Sequence, residues 1–328
     1  LFDLLNNNED WKQFFYSSIF TFFIGIVLFI SFKKEKLKID LRQAFVLTFS
    51  SWILIAVFGS IPFVYSSSSL NYTDAFFESV SGITTTGATV INNLDLLPEG
   101  ILIWRSLLQW FGGIGIIVLA LAILPTLQIG GMQLLHMEHD DPYEKTIPKI
   151  NQFVLEIILL YIALSIICFL LYYFNGMSGF DSIIHAMTTI STGGFSSHDL
   201  SFAYFDSQSI ETVSILFMII GSLPFVIYLQ FIHGNINSFF KDEQIKLFFI
   251  ILLIIILLTT LWLNLYKSLE LSNAFRLAIF NITSILTGTG YVNSNYSNWG
   301  SFGLVIMIVI MFIGGCAGST TGGIKIFR

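Results

Sequence analysis

Charge is what this sequence has least of. Lys, Arg, Asp and Glu make up 11% of its 328 residues, against roughly 25% in a soluble domain. So few charges cannot cover a water-facing surface, but they suffice for one solvated by lipid. The net charge of −6 excludes the basic footprint of a nucleic-acid binder. A content of 34 Phe, 12 Tyr and 6 Trp excludes a disordered chain. There are only two cysteines, Cys168 and Cys316, each in an apolar or glycine-rich segment; they read as packing residues rather than a disulfide. No Walker motif, nucleophile–base pair or zinc-type spacing occurs, which argues against an enzyme. No signal peptide is visible, and the chain begins at Leu1.

What is abundant is apolar: 55% of residues are hydrophobic and the mean hydropathy is +0.79. A bilayer crossing needs about 20 apolar residues. Runs of that kind are expected over residues 14–32, 44–65, 101–124, 153–174, 213–232 and 247–266, and a last one starts at 302–313. The expected fold class is an all-α polytopic membrane protein.

Three polar, uncharged turns interrupt these runs. Aligned glycine on glycine, Ile83-Thr84-Thr85-Thr86-Gly87-Ala88 matches Ile190-Ser191-Thr192-Gly193-Gly194-Phe195 and Leu286-Thr287-Gly288-Thr289-Gly290-Tyr291. Their spacing of about 100 residues marks an internal repeat. Each follows a helix too short to span, expected to start at an Asp74 N-cap, at Asp181 and near Asn273. The unit is therefore span, short helix, polar turn, span. Irregular polar backbone survives at membrane depth only inside protein or along a watery path. A cation leaving water needs oxygens, and backbone carbonyls supply them without a fixed charge that would trap it. Glycine opens the backbone angles that let successive carbonyls face one axis, and a short helix ending at the turn adds its negative dipole end. The turns read as three walls of one pore, in which four would close a ring.

A fourth irregular stretch is Gly314-Gly315-Cys316-Ala317-Gly318-Ser319-Thr320-Thr321-Gly322-Gly323. Small residues can serve helix packing alone. Five glycines and three hydroxyls in ten residues instead suggest an unwound segment able to hang into the pore as a gate.

Lys and Arg set the orientation. Alternating the spans places eleven of them on one side and only Lys12, Arg105, Lys267 and Arg276 on the other. By the positive-inside rule the turns open outward. Twelve acidic residues share that outer side, including Asp74, Glu78, Asp95, Glu99, Asp199 and Asp206, and a negative mouth would concentrate cations. Arg105 is expected to snorkel to the outer interface, and His185 and His198 to brace the second turn by hydrogen bonds. Glu156, near the inner end of its span, is a suspect only because acids are rare in membranes. The inner-loop group His136, Glu138, His139, Asp140 and Asp141 matches no metal spacing and reads as a solvated or subunit-contacting loop.

Thr84-Thr85-Thr86-Gly87-Ala88-Thr89, Leu108-Gln109-Trp110-Phe111-Gly112-Gly113-Ile114-Gly115, Gly193-Gly194-Phe195-Ser196 and the stretch 314–323 together resemble the Trk branch of the Trk/Ktr/HKT potassium transporter superfamily. The resemblance runs almost end to end. It implies four span–pore helix–span repeats around one pore, with one filter glycine per repeat: Gly87, Gly194 and Gly290 here. Thr85 and Thr86, Thr192 and Gly193, Gly288 and Thr289 would offer the potassium-coordinating carbonyls. Residues 314–323 would be the intramembrane gating loop. Relatives form homodimers and bind a cytosolic nucleotide-sensing regulatory ring, so a nucleotide would act only through that partner. No covalent cofactor is implied, and potassium is the substrate. A glycine in the first turn, where some sodium-favouring plant relatives carry serine, supports potassium.

The expected layout is 1–43, first span and basic loop; 44–124, first pore repeat; 125–150, cytoplasmic loop; 151–233, second repeat; 234–328, third repeat with the gating loop. Against the family pattern a fourth repeat and a leading N-terminal span are missing, so a fragment truncated at both ends is expected. Two chains sharing one pore is the alternative. The functional expectation is potassium uptake across the bacterial inner membrane. The rivals are a proton- or sodium-coupled symporter, disfavoured because the span centres lack a carboxylate, and a membrane scaffold with no pore.

Overall fold

The structure is a computed structural model and describes residues 2–33, 41–127 and 146–326. The expected inner-loop group at 136–141 and the lysines at 34, 36, 38 and 145 lie outside the described residues. Among the described residues the backbone is helical apart from turns, loops and one isolated bridge between Ile313 and Ile324. That is the expected answer to a lipid solvent, in which a helix pairs its own N–H and C=O groups.

The helices are α1 (Phe2–Leu5), α2 (Trp11–Phe32), α3 (Leu41–Gly59), α4 (Ile61–Tyr65), α5 (Tyr72–Ile83), α6 (Glu99–Leu127), α7 (Thr146–Phe174) and α8 (Gly179–Ile190). There follow α9 (Gln208–Ser222), α10 (Phe225–Ile232), α11 (Asn237–Lys241), α12 (Glu243–Lys267), α13 (Leu271–Leu286) and α14 (Ser301–Met311). Five described spans are long and apolar enough to cross a bilayer, six if α9 and α10 count as one broken span.

A span, a short helix, a polar turn and a further helix follow one another three times, the last of these helices, α14, being only 11 residues long. The short helices α5, α8 and α13 pack against the spans on either side of them. In addition α6 packs on α8 and α9 on α13, so in the first two units the helix after the turn buttresses the next unit's short helix. On α12 the buried stripe Phe248, Leu252, Ile256, Thr259 and Leu263 faces protein, while Leu253, Leu257 and Leu261 stay exposed. An all-round apolar helix with only one face against protein is what lipid on the other face requires. Cys168 and Cys316 are free and buried.

The structure corrects two expectations about helix ends. Asp74 does not cap α5: Asn71 does, its side-chain oxygen accepting from the Asp74 N–H at 2.9 Å while its amide donates to the Asp74 carboxylate at 2.8 Å. Ser178 treats Asp181 in the same way at the start of α8, at 3.0 and 2.7 Å. In both helices the N-cap side chain holds the N–H and the carboxylate of the same first-turn acid, a position where negative charge also suits the helix dipole. The third short helix starts at Leu271 without a side-chain cap.

The larger correction concerns residues 213–232, expected as one span. They form α9 and α10, bent by 93°. Pro224 has no N–H and pushes Leu223 out of helical geometry; Leu223 is extended, at φ −91° and ψ 157°. The groups this break frees are taken up by the glycine-rich loop. Gly221 O accepts from Thr320 N–H at 3.2 Å and Thr320 Oγ1 at 2.9 Å, Ser222 O accepts from Cys316 N–H at 3.0 Å, and Phe225 N–H donates to Gly318 O at 3.0 Å.

Gly221 lets this elbow close, because a methyl there would sit 3.0 Å from Thr192 Cγ2 and 3.1 Å from Ile190 O. Gly221→Val should therefore overpack the elbow and cost about 1–3 kcal/mol, seen as a lower unfolding temperature in detergent. An unchanged midpoint would show that the elbow is not tightly packed.

Candidate functional site

The three turns share one backbone. Positive φ occurs at Thr85 (56°) and Gly87 (78°), at Thr192 (50°) and Gly194 (78°), and at Gly288 (72°) and Gly290 (85°). In each turn the left-handed residues bracket one of negative φ. An extended chain points successive carbonyls to opposite sides; reversing handedness at every second residue lets them share a side. β-Branched residues rarely adopt positive φ, so Thr85 and Thr192 carry strain of about 1–3 kcal/mol each. Strain of this kind persists only where the surroundings over-determine it.

Those surroundings repeat as well. Ser81 O accepts from Thr86 N–H at 2.9 Å and lies 3.5 Å from Gly87 N; Thr188 O accepts from Gly193 and Gly194 N–H at 2.9 and 3.3 Å; Ser284 O accepts from Thr289 and Gly290 N–H at 2.9 and 3.2 Å. With these N–H groups turned back onto the short helix, the carbonyls of the turn are left for other partners. Ser81 Oγ and Ser284 Oγ donate onward to Ala88 O at 2.5 Å and Tyr291 O at 2.7 Å. At the matching place in the second turn Thr188 Oγ1 instead meets the Tyr291 hydroxyl at 2.5 Å, tying the third turn to the second short helix.

The turns also sit side by side. A methyl on Gly87 would collide with Gly193 O, and one on Gly194 with Thr289 O. A methyl on Gly290 would meet nothing within 4 Å. The structure thus brings all nine expected turn residues into one arc, closed at its two inner junctions and open beside Gly290. One of the six expected ligand carbonyls has another partner: Gln109 Nε2 donates to Gly193 O at 2.7 Å, and Gln109 Oε1 accepts from Phe195 N–H at 3.1 Å.

The segment 314–323 lies against this arc. The Gly322 nitrogen is 3.7 Å from where a Gly288 side chain would begin, and Thr192 Oγ1 donates to Thr320 Oγ1 at 3.1 Å. The segment folds back on itself: Gly314 N–H donates to Ile324 O at 2.8 Å and Gly315 N–H to Thr321 Oγ1 at 3.1 Å. Lys325 Nζ bonds Thr321 Oγ1 at 2.9 Å and the Thr321 carbonyl.

Charge is arranged differently from expectation. Arg105 does not snorkel. It is 1% exposed and its Nε donates to Glu78 Oε1 at 2.7 Å, with Glu78 wholly buried, so Glu78 is not a free charge of the mouth. A guanidinium fork finds more fixed oxygens here than the interface would offer, and removing one partner of such a pair costs about 3–5 kcal/mol. Arg276 likewise pairs with Glu211 at 2.8 Å and Asp206 at 3.2 Å. Glu156 accepts from Gln152 at 3.2 Å and faces His233 at 3.9 Å. The two histidines do brace the second turn, His185 through Ser196 Oγ at 3.0 Å. His198 joins Asp95 on the first loop to Asp181 on α8 at 3.2 Å, stacked on Tyr204. Arg105 and Gln109, whose roles sequence reasoning missed, were detectable as polar residues one helical turn apart in an apolar run.

Burial opposes the charged form of His198, but the neighbouring carboxylates of Asp181 and Asp95 outweigh it and raise its pKa. The His198 bond lowers Asp95. Asp181 is lowered as well: burial works against it, but the His198, Ser197 and Ser178 bonds prevail. His198⁺ therefore adds stability that is fully present below the unperturbed value of about 6.5 and lost as pH rises through its raised value. The carboxylates' share is lost only in acid. The unfolding midpoint should fall on going from about pH 6 to pH 9, and His198→Gln should flatten that slope; equal slopes would refute the bridge.

A family model described as TrkH, cation transport protein, matches residues 11–328. The chain is 41% identical over 287 residues to the Trk system potassium uptake protein TrkI of Halomonas elongata, covering 87% of this chain and 58% of that protein. It is 40% identical over 312 residues to TrkH of Escherichia coli K12, covering 93% and 64%. The crystal structure of the potassium transporter TrkH from Vibrio parahaemolyticus matches with a TM-score of 0.91 at 36% identity, over 99% of this chain and 68% of that one. The chain thus spans about three-fifths of the length of these curated relatives. A shared fold over nearly every residue, with a family match from Trp11 to Arg328, means that this multi-pass membrane chain belongs to the TrkH family of cation transport proteins.

Proposed function

We propose that the three turns are three walls of a potassium-conducting filter in a bacterial inner-membrane uptake protein. The observation that carries this reading is the recurrence of one strained backbone, left-handed at Thr85 and Gly87, Thr192 and Gly194, Gly288 and Gly290. Carbonyls of Thr85, Thr86, Thr192, Gly193, Gly288 and Thr289 replace the ion's water, and a carbonyl has a second lone pair, so Gly193 O can serve both Gln109 and the ion. The short helices direct the negative ends of their dipoles at the same place. Similarity to potassium uptake proteins favours potassium as the cargo.

The flank beside Gly290 takes a fourth turn, supplied by a further repeat, which closes the ring. Residues 314–323 form the gate: they lie beside Thr192 and Gly288, and their hydrogen bonds run to the α9–α10 elbow, so moving the loop and opening the elbow are one event. A homodimer, regulated by a cytosolic nucleotide-binding ring at the inner loops, completes the proposed assembly. Passive conduction is favoured over proton or sodium coupling because the buried carboxylates among the described residues, Asp3, Asp10, Glu78 and Glu211, each bond an N–H, hydroxyl or guanidinium close to the outer loops.

The complete gene should restore growth of an uptake-deficient bacterium at low potassium, and Gly87→Ser should weaken its preference for potassium over sodium. A failure to restore growth, or a preference untouched by Gly87→Ser, would sink the filter. A fourth turn seated at the open flank makes Gly290→Ala as harmful as Gly194→Ala in the complete protein; a much milder Gly290→Ala would deny it. Shortening residues 314–323 should raise potassium flux, and a folded protein with unchanged or lower flux would remove the gate.

A further inference from the structure

Each short helix carries one polar side chain at the same register before its turn's glycine: Glu78, His185 and Asn281. Each reaches past the turn to the segment that leaves it. Glu78 accepts from Thr89 Oγ1 at 3.0 Å and from Val90 N–H at 3.1 Å. His185 Nδ1 faces the Asp181 carbonyl at 2.9 Å, which can only accept, so Nε2 accepts from Ser196 Oγ at 3.0 Å. Asn281 Nδ2 donates to Asn293 Oδ1 at 2.5 Å. These braces fix the far end of each turn relative to its helix. Three chemistries, carboxylate, imidazole and amide, occupy one structural position.

The first brace alone is charged, and its partner does more than neutralise it. Besides Glu78, Arg105 donates through Nη2 to Thr89 Oγ1 at 3.0 Å and through Nη1 to Ser196 O at 3.3 Å, and its guanidinium lies 4.1 Å over the Phe195 ring. Thr89 leaves the first turn; Phe195 and Ser196 leave the second. Arg105 sits on α6, the span of the first unit, so one rigid planar fork holds the exits of two neighbouring turns at a set distance. One helical turn further along α6, Gln109 grips Gly193 O and Phe195 N–H. A second side chain of the same helix thus fixes the second turn from inside its exit. The junction it spans is the one at which a methyl on Gly87 would strike Gly193 O.

We propose that Arg105, paired with Glu78, is a positioning residue for ion discrimination: it sets the gap between the first and second turns without touching the ion. The proposal rests on the turns being an ion filter. A cavity of fixed width favours the ion whose lost hydration its oxygens replace best. A lysine ammonium can reach one or two of these oxygens but cannot reproduce the fork.

The test uses the protein from its complete gene, purified and reconstituted in lipid vesicles, with potassium and sodium uptake measured separately. The variants are Arg105→Lys, the doubly neutral Glu78→Gln with Arg105→Gln, and Thr89→Val beside Thr89→Ser. The double variant leaves no unpaired buried charge, and the Thr89 pair asks about a single hydroxyl in proteins expected to fold normally. Arg105→Lys and the double variant should lower the potassium-to-sodium ratio several-fold. Thr89→Val should lower it too, and Thr89→Ser should keep the unmodified value. If the ratio is unchanged in Thr89→Val and in whichever Arg105 variants accumulate, with only abundance or unfolding temperature reduced, Arg105 is a structural ion pair and the proposal falls. If the unmodified protein itself shows no preference between the ions, the filter reading falls and takes this proposal with it.

Discussion

Irregular backbone at membrane depth must find partners for every N–H and C=O without help from bulk water, and the rest of the structure follows from that constraint. The turns meet it by division of labour. Their N–H groups fold back onto Ser81 O, Thr188 O and Ser284 O, which leaves carbonyls free for a different partner. A turn that satisfied its own carbonyls as well would be a closed loop with nothing to offer an ion. Left-handed φ at a threonine is tolerated because these return bonds, and the spans packed behind them, leave the chain no cheaper conformation.

The same accounting explains why the elbow and the glycine-rich segment belong together. Breaking a span at Pro224 exposes the carbonyls of Gly221 and Ser222 and the N–H of Phe225. Unwinding 314–323 exposes a complementary set, and each meets the other's need. Neither irregularity would be stable alone in an apolar setting. Paired, they satisfy one another through a few bonds that lie between two segments rather than within one helix.

Charge obeys a related logic. The buried ionic groups are held by forks and by several fixed oxygens, as with Arg105 among Glu78, Thr89 and Ser196. Such a cluster contributes little net stability over an apolar one, yet breaking it on one side is costly. Its value is geometric: it specifies where the ends of two turns must be. His198 between Asp95 and Asp181 does the same in the outer loops, with a pH-dependence that the guanidinium lacks.

The sequence by itself determined what depends on neighbours along the chain. Apolar length decided most of the spans, the aligned glycines Gly87, Gly194 and Gly290 marked one left-handed residue in each turn, and the run of small residues at 314–323 decided that the last helix gives way to irregular backbone. Glycine conformations and hydropathy are local properties, so spacing was enough to find them. Tertiary structure decided the rest. A proline in an apolar run is compatible with a kinked span, and only the loop packed into its break made residues 213–232 a 93° elbow. Arg105 near a span end is compatible with snorkelling, and only Glu78, Thr89 and Ser196, brought together by folding, made burial the cheaper state. Gln109 was an isolated amide until α6 packed on α8. In each case the deciding partner lay far off in sequence, and hydrogen bonds at that range leave no periodic trace in composition.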